Sequence, residues 1–299
     1  MSSIDLLVIG GSGFVGAITV RSASEAGYNV SYTYNNHPLL LPAKAYQVDL
    51  VESDALEACI RAAQPRVVLY CAVPRGDEPV HRAVSVIGVQ RTLASLEKAA
   101  PSALFVYVST NSVFSGRNDT NREIDPPDPE NRFDEYRSYA ITRAEGERVT
   151  LSNWKNAMVL RTSNVEGRDI QGNLNPRLGR VVENLQKGLP VSRFTNRIIS
   201  PTLVDNFAEV MLEIVSDRFQ YRGILHVAGS QQLSDNEYAN YLVRHLGLNE
   251  ALVTKNQVET SSVSGMMNIS LDVSYTQRLL TTRLLDVTEQ LAKLFPDMS

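Results

Sequence analysis

The chain has 299 residues, 43% of them hydrophobic and 21% charged, which is typical of a globular protein with a full hydrophobic core. Its formal net charge of -4 gives no overall attraction to nucleic acid or anionic lipid, so neither is an expected partner. The N-terminus has no basic segment leading into an apolar one, and no run of about eighteen apolar residues occurs, so we expect a cytoplasmic protein.

Metal and redox chemistry are not indicated. The two cysteines, Cys59 and Cys71, have neither metal-ligand nor redox spacing and are predicted to be buried thiols. His226 lies in an apolar stretch and is predicted to complete a core strand, and no cluster of histidine and acidic residues has ligand spacing. We therefore predict that the protein has no metal site.

Apolar runs rich in branched residues alternate with helical patterns through the first half of the chain. We predict strands at 4–9, 30–34, 67–71, 104–109 and 157–160, and helices at 15–26, 56–63, 80–99 and 136–151. Strands that are apolar almost throughout are typical of a parallel sheet with helices on both faces. Right-handed crossovers then give a doubly wound parallel sheet of the Rossmann type.

The pattern loosens from about residue 164 onward. Long loops are predicted at 167–175 and 256–267, with helices near 203–215 and 236–246 and a short strand at 224–227. We predict a dinucleotide-binding Rossmann domain at 1–163. Residues 164–299 are predicted to form a smaller α/β part that binds substrate, with some segments returning to the Rossmann domain.

A glycine-rich turn follows the first predicted strand and opens the first predicted helix, where backbone amides can hold a pyrophosphate. Gly10 allows the tight turn, Gly13 lets the backbone approach the phosphates, and Gly16 lets the helix pack closely. A plain turn is the alternative, but the position between strand and helix favours a phosphate loop. Its predicted cofactor contacts are Gly10, Ser12, Gly13, Phe14, Val15 and Gly16.

The end of the second strand bears on the choice between NAD and NADP. An acidic residue there would bind a ribose hydroxyl and favour NAD, but residues 33–37 contain none. They contain no arginine either. We predict NADP, with NAD as the alternative, bound beside Tyr34 and Asn35.

The glycine spacing resembles that of the extended short-chain dehydrogenases/reductases. By this resemblance Asp49, which follows a third apolar strand, would hold the adenine amino group, with Leu50 beside it. Alternatively, Asp49 is a helix N-cap that forms a capping box with Glu52, and it could serve both roles. Cys71, Ala72 and Val73, which follow the fourth strand, are also expected at the cofactor.

Tyr139 and Arg143 resemble the tyrosine-x-x-x-lysine element of that family, and their spacing places them on one helix face. A phenol, with a pKa of about 10, is a poor acid-base at neutral pH unless a cation stabilises its phenolate. Arginine keeps the charge but does not release a proton as lysine can. By the resemblance this cation also binds the nicotinamide ribose, so Tyr139 and Arg143 are expected at the cofactor as well. The alternative is a core tyrosine followed by a solvated arginine.

Residues 105–114 resemble the strand and turn that carry the family's catalytic serine or threonine. Thr110 would then hydrogen-bond the substrate carbonyl while Tyr139 protonates it. Alternatively, the Thr110 hydroxyl caps its own turn.

Over nearly its whole length the chain resembles the dTDP-4-dehydrorhamnose reductases and their relatives. It departs from their pattern at Arg143 and at Ser85, Asn111, Ser112, Asn164, Gly265 and Met266. The arginines of the second part could bind a diphosphate or be solvated surface charges; they are Arg177, Arg180, Arg193 and Arg197.

The resemblance implies an NAD(P)H-dependent reductase of a carbonyl on a sugar nucleotide or a similar polar small molecule, with a homodimer as a possible assembly. One alternative is a non-catalytic NADP-binding regulatory subunit, since a related branch includes a partner of methionine adenosyltransferase. Another is a sugar-nucleotide epimerase or dehydratase.

Overall fold

The computed structural model describes residues 4–51, 53–73, 76–132, 134–216, 218–259 and 265–296. The strands of this part are β1 Leu6–Ile9, β2 Val30–Tyr34, β3 Lys44–Gln47, β4 Val67–Tyr70, β5 Leu104–Thr110, β6 Ala157–Thr162, β7 Val165–Glu166, β8 Val191–Phe194, β9 Arg197–Ile199, β10 Thr202–Leu203, β11 Gly223–His226, β12 Leu233–Ser234, β13 Val253–Asn256 and β14 Met267–Asn268. The helices are α1 Phe14–Glu25, α2 Ser53–Ala63, α3 Glu78–Arg82, α4 Gly88–Ala99, α5 Arg137–Asn153, α6 Pro176–Gln186, α7 Val204–Val215, α8 Asp235–His245, α9 Ser274–Leu279 and α10 Val287–Leu294.

Seven parallel strands form the main sheet, in the order β11-β6-β5-β4-β1-β2-β3. Strand β1, next to the central strand β4, pairs with β2 on its other side, so the strand order reverses between β1 and β4. This is the predicted doubly wound Rossmann sheet. All seven carboxyl ends lie at one edge, and the crevice at the reversal is where such sheets bind ligands.

Helices cover both faces of this sheet because its strands are apolar on both sides. Leu6 and Val8 of β1 pack into one core together with α1 and α7, while Leu7 and Ile9 pack into another with α2 and α4. Successive strand residues point to opposite faces, which explains this division. The edge strand β11 comes from the second half of the chain and pairs with β6, Ile224 opposite Val159.

The predicted helix at 80–99 has three segments. It begins at Glu78, where Asp77 caps the first turn by accepting from the Val80 amide, and a π-helical turn, Ala83–Ile87, joins α3 to α4. Such turns inside helices are frequent at functional sites.

The second half of the chain contributes a smaller α/β layer beside the carboxyl edge of the sheet. Its strands pair as β7 with β10, β8 with β13, and β9 with both β12 and β14. Helices α6, α8 and α10 enclose a third core around Leu178, Leu242 and Leu291. Part of the predicted loop at 256–267 lies outside the described residues. Among the described helices, none has the length and apolar character that crossing a membrane requires.

Candidate functional site

The glycine-rich turn has no room for side chains. Gly10 has φ +84°, and a Cβ on it would lie 2.7 Å from the Ala72 backbone. A Cβ on Gly16 would lie 2.5 Å from the carbonyl oxygen of Gly10, so this glycine lets α1 pack closely on the turn. No described side chain caps the first turn of α1, which contains no acidic residue. Its amides and the positive end of the helix dipole therefore fit a phosphate group.

Strand β2 supports the turn from the side. The Gly10 amide donates to Thr33 Oγ1 at 3.1 Å, and Gly11 lies against Tyr32, whose Cβ would be 2.4 Å from a Cβ on Gly11. Tyr34 ends β2, and the carbonyl of Asn35 accepts from Gln47 Nε2 at 3.1 Å. Tyr34 and Asn35 thus lie beside the glycine-rich turn at the same sheet edge.

Asp49 and Leu50 follow β3 at that edge. Asp49 Oδ1 accepts from the Val51 amide at 2.8 Å, in a turn that precedes α2. Because α2 begins at Ser53, Asp49 lies four residues before the helix and is not its N-cap. The predicted capping partner, Glu52, lies outside the described residues. The Leu50 carbonyl accepts from Arg91 at 3.4 Å, which holds this segment to α4.

The three residues after β4 have different environments. Cys71 is buried beside Gly16, and its thiol donates to the Ile9 carbonyl at 3.3 Å. Burial raises its pKa to about 12, so the thiol stays protonated and unreactive. The Ala72 backbone touches Gly10, and the Val73 side chain is exposed.

Tyr139 lies in the first turn of α5, which packs against β5 and against the turn that follows it. Its ring meets the imidazole of His81 edge to face, with ring centres 5.7 Å apart. His81 Nδ1 lies 3.3 Å from Ser138 Oγ. The Arg82–Glu145 ion pair, at 2.8 Å, adds a second link between α3 and α5. Nothing in the sequence pattern singles out His81 as a neighbour of Tyr139.

Arg143 is almost completely buried, 1% exposed, one turn further along α5. Its guanidinium donates to the carbonyl of Val108, within β5, and to that of Ala72, two residues after β4. The guanidinium carbon lies 4.6 Å from the Tyr107 ring centre and 5.9 Å from that of Tyr139. Burial disfavours its charged form, but Tyr107 and Tyr139 offset this and the Arg143 pKa is raised. Arg143 is therefore a buried cation held mainly by backbone, not the solvated arginine of the alternative.

Thr110 is the last residue of β5. Its hydroxyl oxygen accepts from the Ser112 amide at 3.1 Å and so caps the turn Asn111–Val113. The turn-capping alternative therefore describes the contact that the Thr110 oxygen makes in this structure. The hydroxyl hydrogen is donated to Asn111 Oδ1 at 3.3 Å, and it would have to leave this acceptor to serve a substrate carbonyl. Asn111 donates to Ser163 Oγ and to the Ile269 carbonyl, both at 2.9 Å, and so ties the turn to two other segments.

The structure also contains a buried ion pair beneath this site, which the sequence-based site prediction did not include. Arg161 on β6 and Glu147 on α5 lie 2.9 Å apart with 1% and 4% of their side chains exposed. Ser109 on β5 donates to the same carboxylate, and a second Arg161 nitrogen lies 3.1 Å from it. The network fixes α5, and with it Tyr139 and Arg143, to the strands that carry Thr110.

The structure brings together three of the four arginines of the second part. A cavity of about 140 Å³ between α6 and α8, here called the arginine pocket, is lined by Glu166, Arg177, Leu178, Val181, Ser192, Arg193, Phe194, Arg197, Asp235, Tyr238, Ala239 and Leu242. Arg180 is outside it and donates to the Pro176 carbonyl of its own helix. Glu166 and Asp235 each pair with an arginine, at 2.6 Å in both cases.

The residues predicted at the cofactor and at the reacting atoms thus share one sheet edge. They follow β1, β2, β3 and β4 or lie at the end of β5 and the start of α5. Together with the glycine-rich turn, this arrangement defines a Rossmann-type α/β protein.

A sequence model of the RmlD substrate binding domain family matches residues 4–297, and the chain belongs to this family. The resemblance to dTDP-4-dehydrorhamnose reductases is thereby confirmed. Methionine adenosyltransferase 2 subunit beta of Xenopus tropicalis is 27% identical over 241 residues, which cover 77% of this chain and 69% of the relative. Spore coat polysaccharide biosynthesis protein SpsK of Bacillus subtilis (strain 168) is 26% identical over 254 residues, 83% and 82% of the two chains.

Among solved structures, the dTDP-4-dehydrorhamnose reductase of Bacillus anthracis str. Ames, in complex with NADP, superposes with a TM-score of 0.78. The match covers 99% of both chains at 15% sequence identity. At 15% sequence identity, this similarity shows that the two proteins share a fold and nothing more specific.

Proposed function

We propose that the chain is an NAD(P)H-dependent reductase of a carbonyl group on a sugar nucleotide or a similar polar substrate. The observation that carries this proposal is the convergence of the phosphate-accepting turn, Thr110 and the Tyr139 helix at one sheet edge. NADP is the favoured cofactor, since residues 33–37 have no acid to select NAD and the related Bacillus anthracis reductase was solved with NADP.

In this proposal Gly10, Ser12, Gly13, Phe14, Val15 and Gly16 hold the pyrophosphate. Tyr34, Asn35, Asp49 and Leu50 flank the adenosine, and Cys71, Ala72 and Val73 line the path toward the nicotinamide. The nicotinamide ring supplies the reducing equivalent when it is bound. Thr110 donates a hydrogen bond to the substrate carbonyl oxygen, and the Tyr139 hydroxyl delivers the proton to that oxygen. The Arg143 guanidinium carbon lies 5.9 Å from the Tyr139 ring centre, so its positive charge stabilises the phenolate that remains after proton transfer.

The second candidate function is a non-catalytic NADP-binding regulatory subunit. Arg143 favours it, because the guanidinium is engaged by the Ala72 and Val108 carbonyls, whereas a lysine there would have a mobile ammonium for proton transfer. The likeness to methionine adenosyltransferase 2 subunit beta points in the same direction. An epimerase or dehydratase would use the same cofactor site.

The decisive experiment measures NADPH and NADH oxidation with a panel of 4-keto sugar nucleotides and simpler ketones. We expect wild-type turnover and a fall in kcat of about a hundredfold or more in Tyr139→Phe. Tyr28 lies just before β2, and Tyr28→Phe should turn over like wild type. Unchanged turnover in Tyr139→Phe would show that Tyr139 does not supply the proton. Tight NADPH binding without turnover on any ketone would favour the regulatory subunit. A cytoplasmic location and a homodimer stay predictions of the sequence.

A further inference from the structure

The contact between His81 and Tyr139 joins α3 to α5 beside the groups assigned to the reaction. The imidazole and the phenol ring meet edge to face, with ring centres 5.7 Å apart and ring planes at 76°. Aromatic pairs favour this arrangement, with centres about 4.5–7 Å apart, over a face-to-face sandwich. Both residues are half-buried. The imidazole therefore restricts the rotation of a phenol ring that solvent alone would leave free on this side.

Within its own helix, Tyr139 is held weakly. No described side chain caps the first turn of α5, where Tyr139 lies, and this turn contains no acidic residue. Such a turn opens more readily than the helix interior, because its amides have no intrahelical partners. The Arg143 guanidinium carbon lies 5.9 Å from the Tyr139 ring centre but 4.6 Å from that of Tyr107. Its terminal nitrogens donate to backbone carbonyls, so Arg143 leaves the orientation of the phenol to other contacts.

Helix α3, which carries His81, is anchored at both of its ends. Asp77 caps its first turn by accepting from the Val80 amide at 3.4 Å. At the other end, the π-helical turn Ala83–Ile87 continues into α4. Such a turn widens the helix and rotates the residues before it relative to those after it. His81 is therefore presented to α5 from a short helix with a fixed direction.

Two polar contacts keep α3 in place against α5. His81 Nδ1 lies 3.3 Å from the hydroxyl oxygen of Ser138, the residue directly before Tyr139. Arg82 and Glu145 form an ion pair at 2.8 Å further along α5. These contacts hold the imidazole against the first turn of α5.

We propose that His81 is a positioning residue for Tyr139, and that its imidazole ring holds the phenol in the orientation from which the hydroxyl reaches the substrate carbonyl. This inference deepens the proposed function and rests on it. In this role His81 exchanges no proton with the substrate; it narrows the range of positions that the Tyr139 hydroxyl samples. Misplacement of a reacting group by about 1 Å can cost about a hundredfold in rate, so a ring contact behind the hydroxyl affects kcat.

The kinetic test compares two variants of the full chain in the NADPH oxidation assay. His81→Asn keeps a polar group near Ser138 but removes the ring, and its kcat should fall about tenfold to a hundredfold. Its KM should stay within about twofold of wild type, because the contact acts on the orientation of the proton donor and not on substrate binding. His81→Phe keeps the ring and loses the nitrogens, and it should retain most of the wild-type kcat.

His245→Asn is the matched control. His245 ends α8 and packs on the Phe295 ring, with ring centres 6.2 Å apart, so the same substitution removes an imidazole from a different aromatic pair. This variant should turn over like wild type.

A second measurement needs no turnover. Nuclear magnetic resonance of the NADPH complex with ring-labelled tyrosine reports the surroundings of each phenol, and the Tyr139 signal is the one that Tyr139→Phe lacks. In His81→Asn this signal should move toward that of an exposed tyrosine, because the neighbouring ring is gone. In His81→Phe it should stay displaced.

The proposal is overturned if His81→Asn keeps the wild-type kcat or leaves the Tyr139 signal unmoved. It is also overturned if His81→Phe loses as much activity as His81→Asn, since the imidazole nitrogens would then carry the effect. A wild-type chain that reduces no ketone, but whose Tyr139 signal depends on the ring at position 81, would reject the proposed reductase alone. Wild-type turnover that His81→Asn fully retains would reject this inference alone.

Discussion

Arg143 lies across the ring of Tyr107, with the guanidinium carbon 4.6 Å from the ring centre, and donates to the carbonyls of Val108 in β5 and of Ala72 just after β4. An arginine that has these partners stabilises the strands themselves. We expect Arg143→Met to reduce the free energy of unfolding by about 2–3 kcal/mol, because two buried carbonyls lose a charged donor. Urea denaturation followed by circular dichroism measures this loss.

The matched control for Arg143 is Arg148→Met on the same helix. Arg148 is 70% exposed and lies 3.9 Å from Glu145, so its removal should change stability by less than about 0.5 kcal/mol. Equal losses in the two variants would show that Arg143 has no special structural role.

The Glu147–Arg161 pair gives a second prediction. Glu147→Gln would leave Arg161, with 1% of its side chain exposed, without its counter-charge, and we expect a loss of about 3–5 kcal/mol. Glu145→Gln breaks the more exposed pair with Arg82 and should cost about 1 kcal/mol or less. Denaturation midpoints of the two variants provide the comparison, and a Glu147→Gln protein as stable as Glu145→Gln would contradict the network's role.

A third prediction concerns the glycine-rich turn and NADPH binding. In Gly16→Ala the new methyl group would lie 2.5 Å from the Gly10 carbonyl oxygen, so the turn must shift and NADPH affinity should fall at least about tenfold. Gly179→Ala on α6 meets nothing closer than 3.6 Å and should bind NADPH like wild type. Fluorescence titration with NADPH measures both, and undiminished binding by Gly16→Ala would argue against a phosphate site at this turn.

His226 predicts acid sensitivity. Burial, reinforced by Arg161, lowers its pKa to about 3, against about 6.5 in the unfolded chain. Between these values the unfolded chain binds a proton that the folded protein does not, so stability falls as the pH is lowered through this window. The slope contributed is at most about 1.4 kcal/mol per pH unit.

His226→Asn can still donate to the Asp272 carbonyl, which His226 Nδ1 contacts at 3.0 Å, but it does not titrate. Its unfolding free energy, measured between pH 6 and pH 4.5, should depend less on pH than that of wild type. His37→Asn, an exposed histidine, should retain the wild-type slope. A wild-type slope in His226→Asn would mean that other groups cause the acid sensitivity.

The sequence by itself determined the Rossmann sheet, the glycine-rich turn between the first strand and the first helix, and the strand ends that carry Thr110 and Cys71. These features depend on local patterns, namely apolar runs, glycine spacing and the alternation of strand and helix, so a single pass along the chain detects them. The helix that carries Tyr139 and Arg143 was predicted for the same reason.

Only the tertiary structure decided which side chains meet. Arg143 binds carbonyls of residues 35 and 71 positions earlier in the chain, Glu147 meets Arg161 across two elements, and Glu166 meets Tyr238 over 72 positions. The packing of helices and strands fixes these contacts, and no spacing in the sequence reports them. For the same reason three of the four arginines of the second part, which are scattered along the chain, line one pocket only once β7, β8, β9, α6 and α8 are placed together.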